Sequence, residues 1–150
     1  MDIDWNIVSS LATAIAAVVA AVGLCFGAWQ IKMGKDQAQA AFEDSLDQQY
    51  RSLSMALPVN VLIGGKVEEA DTAEIRELIF NYLDLSNEQI YRRSTGRISA
   101  ATWSSWAIGI KIHLSKQPFS DVYHEIRFEA NFTYLDRLID SNFGSDPKSW

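Results

Sequence analysis

The chain has 150 residues, 48% of them hydrophobic, with 13 Lys and Arg against 19 Asp and Glu and a net charge of −6. That acidity argues against nucleic acid as a partner, because neutralising phosphates needs a basic face. A single cysteine, Cys25, excludes an intramolecular disulfide and a thiolate zinc cage within one chain.

Between Asp4 and Lys32 there is no charged residue. A helix over that stretch is roughly 40 Å long, more than the ~30 Å hydrocarbon core of a bilayer. A secretory signal would carry a basic n-region, a shorter apolar run and a small-x-small cleavage site. This N-terminus is Met1-Asp2-Ile3-Asp4, and its small-x-small triplets (Ala12-Thr13-Ala14, Ala14-Ile15-Ala16) come too early. Leu24 before Cys25 is larger than the residue that normally precedes a lipidated cysteine. The reading is an uncleaved anchor over residues 1–31, in contact with membrane lipid through residues 5–30. Trp5 and Trp29 bracket it at headgroup level. Lys32 and Lys35 follow the span and only acids precede it, so the positive-inside rule puts the N-terminus outside and everything after the span in the cytoplasm.

At about 100° per residue, Ala12, Ala16, Ala20, Gly23 and Gly27 fall on one narrow face. Lipid gives little hydrophobic drive for helix pairing, so close backbone approach across small residues becomes the source of contact. This stripe is the candidate surface for a homo-oligomer or for another membrane protein.

The helix pattern continues without a proline to Leu57, with Phe42, Leu46, Leu53 and Leu57 at three-to-four spacing and Tyr50 nearby. Residues 32–57 read as a stalk, with Gly34 the place where a kink would fall and Pro58 the stop. Residues 58–150 read as a cytoplasmic helical domain packing on that stalk. Its first segment, Pro58 to Asp71, lacks helical periodicity, and "VNVLI" is strand-like in composition but has no partner with which to build a sheet.

A second helix is expected from the Asp71–Thr72 cap to before Gly96, burying Ile75, Leu78, Ile79, Tyr82, Leu83 and Ile90. A third covers about residues 100–115, with Trp103, Trp106, Ala107, Ile110 and Leu114 on one face, and Pro118 breaks it. A fourth runs from the Ser120-Asp121 cap to about Asn142, with Gly144 as its stop. The sum is an all-α protein: a transmembrane helix, a stalk and a small bundle.

Catalytic groupings are thin. His113 and His124 are the only histidines, no H-x-x-x-H or H-E-x-x-H spacing occurs, and no nucleophile elbow or Ser-His-Asp order is present. No enzyme activity, metal or cofactor is expected. Arg92, Arg93 and Arg97 form the one local concentration of positive charge, able in principle to hold an anionic nucleotide or a phosphorylated metabolite. The helix dipole alone also favours cations there. Trp103 and Trp106 are core residues or an aromatic docking surface.

The stretch Phe80 to Ile110 carries Leu83, Leu85, Glu88, Tyr91, Gly96, Ile98, Trp103, Trp106, Gly109 and Ile110 in a characteristic order. It resembles a pattern in uncharacterised bacterial membrane-anchored helical proteins, and departs from many of them in having Ser104-Ser105 between the tryptophans. The resemblance covers about a fifth of the chain. It implies a bacterial origin and a two-helix unit held by tryptophans, and implies no particular activity. The expected role is a non-enzymatic interaction or scaffold module, the alternative being a ligand-responsive membrane effector.

Overall fold

The computed structural model describes residues 4–67 and 72–150. All of its regular structure is helical: α1 (Trp5–Ala56), α2 (Val59–Leu62), α3 (Thr72–Ser94), α4 (Ala100–Leu114), α5 (Gln117–Ala130), α6 (Thr133–Asp140) and a 3₁₀ turn at Pro147–Ser149. The chain divides into two compact units, residues 1–40 and residues 41–150, with the division falling inside α1.

Within the first unit, α1 presents Leu11, Ile15, Val18, Val19, Val22 and Leu24 to the outside. It is the one described helix long and apolar enough to cross a membrane, and none of its most apolar window is buried against the rest of the chain. A Cβ added at Gly23, Gly27 or Gly34 meets open space. α1 runs through Gly34 as continuous helix.

In the second unit, residues 41–56 of α1 contribute Leu46 to the core, with Phe42, Tyr50 and Leu53 packed against it. Pro58 ends that helix, since the residue before a proline is pushed out of the helical region, and the chain then makes the single turn α2. The first four residues of the strand-like "VNVLI" are therefore helical, and Ile63 caps the turn. Gly64, with φ +91°, and Gly65, whose amide reaches Asn60 O at 2.6 Å, close it. A side chain at Gly65 would strike that carbonyl, at 2.8 Å from the Cβ position.

α3 is the central element and packs on α5, α6 and the 3₁₀ turn. Asp71, expected as its cap, lies outside the described residues. At its far end Gly96 adopts φ +73°, its amide bonds Arg93 O at 2.9 Å and the Arg97 amide bonds Arg92 O at 3.0 Å, the paired closure that a left-handed residue permits. α4 starts at Ser99, whose hydroxyl accepts from the Thr102 amide. Glu43 caps the same end from α1 by accepting from the Ser99 amide at 2.6 Å, where a carboxylate also meets the positive end of the helix dipole.

The expected fourth helix is two helices. Pro118 belongs to the first turn of α5, where its missing N–H is no loss, so the helix begins at Gln117 and not at Ser120-Asp121. Asn131 then takes the left-handed conformation, φ 52° and ψ 51°, and ends α5. After Phe132 the chain turns into α6, and the Asn87 side chain on α3 accepts from the Tyr134 and Leu135 amides at 3.0 and 3.1 Å. The stop after α6 is made by Asn142 and Phe143, both at positive φ, rather than by Gly144.

Candidate functional site

Three polar residues in the described chain are buried, and all three lie on α3: Ser86, Gln89 and Arg93. Their spacing of three and four places them on one face of the helix. A buried polar group normally has a hydrogen-bond partner, and leaving one unpaired costs about 1–3 kcal/mol. Ser86 donates to Tyr82 O one turn back, at 2.8 Å. Arg93 donates from Nη1 to Ile98 O and from Nε to Asp146 Oδ1, both at 2.8 Å, and its Nη2 closes a two-point fork on the other Asp146 oxygen. Gln89, only 5% exposed, has no side-chain hydrogen bond within the described residues, and its amide is not sealed from solvent.

Gln89 lines a cavity of about 330 Å³ between residues 47–51 of α1, α3 and α4. Tyr50, Tyr82 and Trp106 form aromatic walls, and Asp47, Arg51 and Ser105 supply polar groups. Trp106 donates its indole N–H to Asp47 Oδ1 at 2.9 Å. That bond fixes the carboxylate and leaves its second oxygen available. Arg51 is exposed and makes no ion pair in the described structure. Asp47 and Arg51 sit one helical turn apart without pairing to each other. Burial pushes the Tyr82 phenol well above its ordinary value, so it stays neutral across the physiological range.

The three arginines expected to gather an anion are differently employed. Arg93 is buried on Asp146. Arg92 donates to Glu88 at 2.8 Å and lies over the rings of Phe42 and Tyr91. Arg97 alone is exposed. Trp103 is buried in the core, while Trp106 is half-buried and faces the cavity. Ala12, Ala16, Ala20 and Gly23 are exposed along α1, and Gly27 is partly so.

The two histidines are in separate settings. His113 packs among Tyr50, Tyr82 and Phe119 with Nδ1 2.9 Å from Gly109 O, and burial lowers its pKa. His124 is exposed beside Tyr123. Among the described residues no group of three or more His, Cys, Asp or Glu is placed to hold a metal ion.

Sequence reasoning passed over Asp47, Arg51 and Gln89. The available signal was a glutamine inside the apolar stripe of α3, flanked by Tyr82, Leu83 and Ile90. No family model, curated protein or solved structure matches the chain.

Proposed function

We propose that the chain is a single-pass bacterial inner-membrane protein whose helical bundle, on the cytoplasmic side, is a non-enzymatic interaction module. The observation that carries this reading is the uncharged stretch from Trp5 to Ile31, helical throughout and with its large apolar side chains facing outward. In water such a surface drives aggregation, whereas in hydrocarbon it is solvated and every backbone group is paired within the helix. Lys32 and Lys35 set the orientation.

The membrane's part in this function is to concentrate the protein in two dimensions. The stripe of Ala12, Ala16, Ala20, Gly23 and Gly27 leaves room for an added Cβ at its glycines and suits a second helix at close range. A second copy of the chain is the simplest occupant.

Membrane fractionation with an alkaline wash is the test, coupled to reporter fusions at each end. The protein should stay in the washed membrane, with the end following α6 on the cytoplasmic side. Release by the wash would refute the anchor. Replacing Gly23 and Gly27 with leucine should convert the detergent-solubilised oligomer to monomer, and unchanged oligomer size would remove the stripe as the interface.

A further inference from the structure

The cavity lined by Asp47, Tyr50, Arg51, Tyr82, Gln89 and Trp106 lies wholly within the second unit, so an inference from it is independent of the anchor. At about 330 Å³ it stands at the small end of the range for ligand pockets, roughly 300–1,000 Å³. It presents one carboxylate and one guanidinium on residues a turn apart, three aromatic rings, and the primary amide of Gln89, which makes no side-chain hydrogen bond in the described fold and keeps access to solvent.

We propose that this cavity binds a small zwitterion, an α-amino acid in its free form. The ammonium end lies against the open oxygen of Asp47 and the electron-rich faces of the surrounding rings, which attract cations. The carboxylate end pairs with Arg51, whose forked donors match a carboxylate. Gln89 offers both a donor and an acceptor to the ligand's polar atoms.

Net charge selects the class. A simple cation would satisfy Asp47 but place like charge beside Arg51, and a simple anion would do the reverse at Asp47. A zwitterion answers both. Gln89 makes no side-chain hydrogen bond in the described fold and its amide keeps access to solvent, so a ligand's polar atoms pair that amide in exchange for water.

The experiment is a thermal-shift and calorimetric screen of the full-length protein in mild detergent against the twenty free amino acids, with choline and acetate as probes of each half of the ligand. At least one amino acid should raise Tm by several degrees near saturation and bind with a Kd tighter than about 1 mM, while choline and acetate give no shift. Gln89→Leu should leave Tm of the free protein unchanged or higher while weakening binding about tenfold or more. Arg51→Met, at an exposed position that does not threaten folding, should do the same to binding and carries the test if Gln89→Leu fails to fold. Absence of binding by every amino acid to about 10 mM would overturn the proposal. So would binding that survives Arg51→Met and Gln89→Leu intact, or a response to choline that equals the best amino acid.

Discussion

Arg93 shows how much one side chain on α3 is asked to do. Its guanidinium is buried, tied to Asp146 on the 3₁₀ turn and to the Ile98 carbonyl before α4. Asp146→Ala leaves that charge with too few acceptors, and a loss of about 2 kcal/mol in a urea titration is expected, below the cost of breaking a fully buried pair because the carboxylate is 44% exposed. The Arg93 guanidinium holds the Asp146 carboxyl below the ordinary carboxylate range. Its contribution is therefore complete above about pH 4 and fades as pH falls through the lowered value. The stability gap between the wild type and Asp146→Asn should accordingly close on acidification. His113 works at a different pH. Burial lowers its pKa, the Gly109 carbonyl partly opposing and Lys116 adding to the effect, so the fold favours the neutral ring. Stability from this residue is full above about pH 6.5 and is lost as pH drops below that value. His113→Phe should flatten the stability curve between about pH 7 and 5, and a slope identical to wild type would show that the ring does not carry it.

At the level of elements, the break between α5 and α6 is the most instructive. The run from Ser120 to Asn142 contains no glycine or proline, so periodicity reads it as one helix. The turn rests on Asn131, a residue type that tolerates left-handed backbone because its short amide can bond locally, here by accepting from the Thr133 hydroxyl at 2.9 Å. Asn131→Ala should cost about 1 kcal/mol and Asn131→Gly almost nothing in thermal denaturation. The new helix is then received by Asn87, and Asn87→Ala should lower stability by about 1 kcal/mol, with hydrogen exchange speeding first at the Tyr134 and Leu135 amides. Core positions such as Ile79, Leu83 and Ile110 were legible because burial follows a 3.6-residue period. The caps were not. Asn87 and Glu43 serve helices 47 and 56 residues away in sequence, and no local pattern carries such a pairing. The cavity was illegible for the same reason, since Asp47 meets Trp106 across 59 residues.

For the whole molecule, the two units invite separate handling. A fragment of residues 41–150 retains every described residue of the hydrophobic core. It should unfold cooperatively and sediment as a monomer. An assembly of the same order as the full chain would move the contact away from the small-residue face of α1. The bond from Arg93 to Asp146 also has a meaning in time. At a synthesis rate of about 5–20 residues per second, the 53 residues between them take roughly 3–10 s to emerge. Until then the Arg93 side chain, one residue from the end of α3, has of its folded partners the Ile98 carbonyl alone. A guanidinium without its carboxylate is costly to bury, so the arrival of Asp146 is what makes that end of α3 stable to bury.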